Sequence, residues 1–245
     1  MKLLTALSAL FIIGGSLGWI LELCYRRAAH GKWINPGFLT GPCLPLYGSG
    51  VLLLYGFCSL DLSFIEPVAL RKTVLILILA VILTGIEYVT GVIFTTVFHV
   101  KLWDYSSRPG NIQGIICPLF SLIWGLIGAA YALFIHPYLV SFINWLSLNP
   151  IYNFFFGIYL GVLIVDVFYS FHLVRKIKAF ADEQQLLVRY ENLKLSIAEH
   201  AEKIKVKRNF AFAFRSPASL KEEFESYLEG LKEKGIKPLK RTKNK

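Results

Sequence analysis

Five runs of apolar residues divide the chain, at about 3–23, 43–60, 73–98, 112–135 and 151–174. Each is close to the roughly 20 residues that a helix needs to cross a hydrocarbon layer, so the pattern predicts five transmembrane spans. Pro45, Gly48 and Gly50 interrupt the start of the second run, which predicts a re-entrant or partly unwound beginning there. Past residue 174 the pattern becomes amphipathic. From Arg175 to about Lys207 there is no Gly or Pro, and Leu186, Tyr190, Leu193, Ile197, Ala201 and Ile204 recur every three or four residues. That is one apolar stripe on a helix continuing from the fifth span. A second stripe, Leu220, Phe224, Leu228 and Leu231, follows a capping box of Ser219 and Glu222 and ends at Gly235. The two stripes predict a helical hairpin, with a coiled-coil dimer as the alternative.

One short pattern occurs twice. Gly41, Pro45, Leu46 and Tyr47 match Gly114, Pro118, Leu119 and Phe120 as Gly-x-x-x-Pro-Leu-aromatic. Each copy follows a Trp (Trp33, Trp103), a polar loop with Gly, Pro and Asn, and an apolar run holding one glutamate (Glu22, Glu87). The expected fold is therefore an all-α, polytopic bundle of about five spans built from two helix-loop-helix repeats, about 3–60 and 73–135, with a fifth span at 151–174. The transmembrane domain is 1–174, and a basic helical tail occupies 175–245.

Composition agrees with a membrane protein. Hydrophobic residues are 55% and charged residues 17% of the chain, with a mean hydropathy of +0.55, whereas soluble domains carry about 25% charge. Of the 26 Lys and Arg, 18 lie beyond residue 174, with 10 of the 16 acids. Arg26, Arg27, Lys32, Lys101 and Arg108 mark the loops after spans one and three, and the loop after span four has no base. The positive-inside rule then predicts an outside N-terminus and a cytoplasmic C-terminus, which Arg71 and Lys72 oppose. Residues 1–23 read as a retained helix rather than a secretory signal, because no Ala-x-Ala pattern closes the run and Arg26-Arg27 follow it. Cys24, Cys43, Cys58 and Cys117 form no ligand-spaced cluster with the histidines, so no metal and no cofactor are expected.

Acids inside the spans are the first candidates for function, because an ionisable group in hydrocarbon is costly. Glu22 shares a helix face with Gly14 and Gly18, and Glu87 shares one with Gly91 and Thr95, so both should face protein. Glu87 falls near the bilayer midplane. Asp166, with Tyr159, Tyr169 and Ser170, lies off the Gly157–Gly161 contact face of span five. These three acids are candidates for a substrate or proton path; the plainer reading pairs them with Arg26, Arg27 or Arg108, or with backbone freed at the Gly/Pro breaks. The two loops supply the second group of candidates. Tyr47, Trp103, Asp104, Tyr105, Arg108, Asn111 and Gln113 gather an acid, a base, two amides and aromatics at a place where non-helical backbone needs partners. The plainer reading makes the tryptophans interfacial anchors and the polar loop self-satisfied.

These strings carry a family resemblance. Glu22-x-x-Tyr25, the run Gly41-Pro42-Cys43-x-Pro45-x-Tyr47-Gly48-x-Gly50, Glu87, Trp103-Asp104-Tyr105-Ser106 and Asn111-Ile112-Gln113-Gly114 resemble the bacterial membrane proteins called putative ABC-transporter type IV, or CmpB-like permeases. The resemblance covers about residues 14–130. It implies a multi-pass protein of the bacterial cell membrane with a permease-like role. No Gly-x-x-x-x-Gly-Lys-Ser/Thr phosphate loop is present, so ATP hydrolysis would fall to a separate ATPase subunit, and a transport path built on five spans would call for a homodimer. The expected function is movement of a small cationic or proton-coupled solute, and the chain is not expected to be an enzyme. The rivals are a scaffold or regulator acting through the tail, and an interfacial lipid-modifying enzyme with Asp104 or Glu22 as base and Arg108 on phosphate. The basic Phe-rich segment 207–215 suits anionic lipid headgroups, and nucleic acid is not an expected partner.

Overall fold

In the computed structural model, residues 2–203, 220–233 and 238–240 are described. Seven helices lie among them. Four are long and apolar enough to cross a membrane: α1 (Lys2–His30), α3 (Val68–Thr96), α4 (Pro118–Leu148) and α5 (Tyr152–Glu183). The second apolar run forms α2 (Pro45–Cys58), 14 residues long. At 1.5 Å per residue α2 rises about 21 Å, short of the roughly 30 Å of hydrocarbon. The tail supplies α6 (Tyr190–Lys203) and α7 (Leu220–Glu233).

Both repeated prolines open a helix. Pro45 begins α2 and Pro118 begins α4, after extended Leu44 and Cys117, as expected for a residue that lacks the N–H an initial helical turn cannot use. Two boundaries differ from those the sequence suggests. The fourth apolar run does not stop at 135, because a π-helical turn at Tyr131–Ile135 carries α4 past Pro137 to Leu148. A wide turn of this kind accommodates a proline that can neither donate nor fit the regular α ladder. The fifth helix does not run on to Lys207 but ends at Glu183. Gln185 adopts φ 53°, and the chain enters a strand. Between α4 and α5 the Asn149 side-chain amide donates to the Trp145 carbonyl at the end of α4.

The chain forms two compact units. The first comprises residues 1–18, 43–90 and 105–164. Here α1 and α2 meet closely: the Leu44 N–H donates to the Gly15 carbonyl at 2.9 Å, and a Cβ added at Gly14 would lie 2.6 Å from Val51 Cγ2. Small residues of α1 are what allow this approach. Gly125 and Gly128 of α4 similarly meet Ala80 and Leu79 of α3. A Cβ added at Gly157 or Gly161 on α5, expected at a contact, would meet nothing within 4 Å among the described residues. Phe154, Phe155, Ile158 and Val162 beside them are exposed, the outward apolar surface that a hydrocarbon solvent requires.

The second unit comprises residues 19–42, 91–104 and 165–245, as far as these are described. Its core joins Phe94, Val174, Ile177 and Phe180 to Tyr190, Leu193 and Ile197 of α6 and to Phe224, Tyr227 and Leu231 of α7. The two tail stripes therefore cover each other and the end of α5. A small sheet completes the unit, with β1 (Val100–Lys101) parallel to β2 (Leu186–Arg189) and β2 antiparallel to β3 (Leu239–Lys240). Ser219, Gly235 and the 207–215 segment lie outside the described residues.

Candidate functional site

A glutamate in a membrane helix must find donors within the protein, and Glu87 of α3 does so. Its side chain is 2% exposed. The Tyr105 hydroxyl donates to Oε1 at 3.1 Å and the Trp124 indole N–H donates to Oε2 at 2.9 Å. Both donors are neutral. Two aromatic contacts fix them: Tyr105 stacks on Phe120 with centroids 4.3 Å apart, and Trp124 meets the edge of Tyr47 at 5.6 Å. Backbone places them too. The second loop returns to α3, where Tyr105 pairs its N–H with the Gly114 carbonyl at 2.8 Å, and Trp124 lies two turns into α4. Glu87 stands five residues, about 8 Å, beyond the middle of α3 toward its C-terminal end, off the centre that the sequence suggests. An acid held by neutral donors in a buried setting can take up a proton or a cation without first breaking an ion pair.

The first loop is organised by Asn35, which is 2% exposed. Its Oδ1 accepts from the Trp19 indole at 3.0 Å and from the Gly37 N–H at 3.1 Å, and its Nδ2 donates to the carbonyls of Leu39 and Thr40. The next residues turn to α5. The Thr40 and Gly41 N–H groups donate to the two oxygens of Asp166 at 3.0 and 2.7 Å, and Ser170 adds a third donor at 3.1 Å. Asp166 thus satisfies loop backbone that no helix serves.

The remaining candidates fall elsewhere. Glu22 pairs with Arg26 at 3.2 Å, and Arg26, 7% exposed, also reaches Glu191 of α6 at 2.5 Å. Asp104 lies between Lys101 at 2.8 Å and Arg189 at 3.0 Å. Asn111 closes its own loop, donating to the carbonyls of Ser106 and Arg108 and accepting from the Gly114 N–H. Arg108 and Gln113 are exposed, with Gln113 at φ 55°, and Trp103 is half-buried. Trp33, 51% exposed, carries Arg27 over its ring. The structure therefore brings together Glu87, Tyr105 and Tyr47 in the first unit. Trp124, Asn35 and Lys194 were not among the candidates. Trp124 is hidden in an apolar run, Asn35 reads as an ordinary turn residue, and Lys194 reads as one more solvated tail charge.

Long apolar helices with a buried acid in one of them define a multi-pass membrane protein. The chain belongs to the family described as Putative ABC-transporter type IV, which matches residues 9–171. The matched region takes in both motif loops and Glu87 and ends before α6, and it makes this a protein of a transport-related family. No curated protein and no solved structure matches the chain.

Proposed function

We propose that the protein is a permease-like membrane subunit that moves a small cation, or a solute coupled to protons, with Glu87 as the group that holds the charge. The observation that carries this reading is the geometry at Glu87: a buried carboxyl in α3 held by Tyr105 and Trp124 with no basic partner among the described residues. The other acids are committed to structural partners, Glu22 and Asp104 to ion pairs and Asp166 to loop N–H groups and Ser170. Glu87 instead keeps its charge-neutralising position open for a proton or cation. Tyr105 is the natural gate, because it comes from a loop rather than from a helix and its hydroxyl is one of the two donors that close the carboxyl among the described residues.

On this reading the membrane is the bacterial cell membrane, with the N-terminus outside and the tail in the cytoplasm, as the basic loops favour. The chain has no phosphate loop of its own, so the driving force is an ion gradient unless a separate ATPase joins it. Uptake into proteoliposomes, measured for protons and a panel of small cations under an imposed gradient, tests the proposal. Wild-type protein should pass at least one of them, and E87Q, which keeps the shape but not the charge, should lose about 90% or more of that flux, the size expected when an acid's proton-transfer role is removed. Equal flux through E87Q and wild type would remove Glu87 from the mechanism.

A further inference from the structure

The first loop holds a buried lysine ammonium. Lys194 of α6 is 3% exposed. Its ammonium donates to the Asn35 carbonyl at 2.9 Å and to the Gly37 carbonyl, and it sits 4.3 Å from the centroid of the Tyr190 ring. Carbonyl oxygens converging on one point beside an aromatic face form a cage suited to an ammonium, since each N–H takes an oxygen and the ring quadrupole favours the positive charge. The loop does not owe this shape to the lysine alone. The Asn35 side chain, through its four hydrogen bonds, holds Gly37, Leu39 and Thr40 in place, and the Tyr190 hydroxyl donates to the Phe38 carbonyl at 3.3 Å.

We propose that the loop Asn35–Gly37 is a binding site for primary ammonium ions, filled in this structure by Lys194 as a tethered occupant. The family match contains the loop and stops before the lysine, so the site and its occupant come from different parts of the chain. Burying an ammonium costs free energy that only well-placed acceptors offset, and Lys194 stands on the apolar face of α6, between Tyr190 and Ile197, where an apolar side chain would otherwise be expected. A free primary ammonium and the tail then compete for the same oxygens. Quaternary ammonium ions, which have no N–H, do not bind. This inference stands on the loop and is independent of Glu87.

Thermal unfolding of the purified full chain tests it. K194A should melt below wild type, and propylammonium should raise its Tm by about 4 °C at concentrations well above Kd, the shift growing with the logarithm of concentration, in the range that ligand binding confers on a protein of this size. Choline should have no such effect on K194A, and propylammonium should raise the Tm of wild type by less than that of K194A, because Lys194 competes for the same oxygens. A K194A protein that ignores propylammonium, or responds equally to choline, overturns the proposal. Should K194A not fold, wild type supplies the test through hydrogen exchange of residues 190–203. Exchange should be faster in methylammonium chloride than in choline chloride at equal, high ionic strength, and equal rates in the two salts would rule out competition for the loop.

Discussion

Asn35 and Glu87 are both buried polar side chains, and they do different work. Asn35 uses its amide to make four hydrogen bonds, two as acceptor and two as donor, so it is spent on structure. Asn35→Ala should remove the bond from the Trp19 indole and the bonds to three loop backbone groups. A loss of about 2–4 kcal/mol is expected, read as a lower midpoint in denaturant and as faster hydrogen exchange at residues 37–41. Among the described residues Glu87 accepts two bonds, both from neutral groups, so E87Q should cost little stability while removing most of the flux. At this scale the sequence was informative where a residue broke its surroundings. Glu87 stood out as an acid in an apolar run, Tyr47 stood in the repeated pattern, and Tyr105 stood in the polar loop of the second repeat. Trp124 gave no such signal because a tryptophan in an apolar span is ordinary. Lys194 gave none because burial of a tail charge depends on a loop some 160 positions away.

The elements show where pattern reading succeeds and where it stops. Tyr190, Leu193 and Ile197 of the first stripe and the second stripe's Phe224 and Leu231 lie on helices whose apolar residues found partners in each other and in α5, whereas Leu186 falls in β2 and Ile204 outside the described residues. The break between α5 and α6 escaped notice, since Glu183, Gln184 and Gln185 are sound helix formers, and the strand pairing of β2 with β1 and β3 overrides local preference. Ile197 is fully buried at the centre of this packing, and Ile197→Ala should cost about 2–5 kcal/mol, measured by chemical denaturation of the full chain. The exposed pair between Lys32 and Glu202 is the opposite case. The Lys32 ammonium holds the Glu202 carboxyl below the ordinary glutamate range, so any stability it adds is present at neutral pH and fades as the pH falls through the lowered value. Because both groups face solvent, salt screens the pair. K32A should therefore leave the unfolding midpoint unchanged within error at pH 7 and at pH 4.

For the whole molecule, hydropathy conveys that the chain is a membrane protein and that it changes character near residue 174. It overstates the second span. Apolar residues from 43 to 60 are enough for a crossing by count, but the helix itself covers only Pro45–Cys58, and the loop before it is held by Asn35 and Asp166 instead of by a helical ladder. Side-chain amides and carboxyls that serve backbone cannot be told from functional ones by periodicity, which is why Asp166 and Asn111 could be placed among the candidates or left out of them with equal ease. The central claim is that the carboxyl of Glu87, closed in this structure by Tyr105 and Trp124, becomes reachable by a water-soluble cation. Substituted-cysteine labelling tests this most directly: E87C in a chain whose Cys24, Cys43, Cys58 and Cys117 are replaced by serine, reconstituted in vesicles and exposed to a membrane-impermeant cationic thiol reagent. The account predicts modification of Cys at position 87 that slows when the transported cation is present. A thiol that stays unmodified from either face of the membrane would contradict it, leaving Glu87 a sealed structural acid.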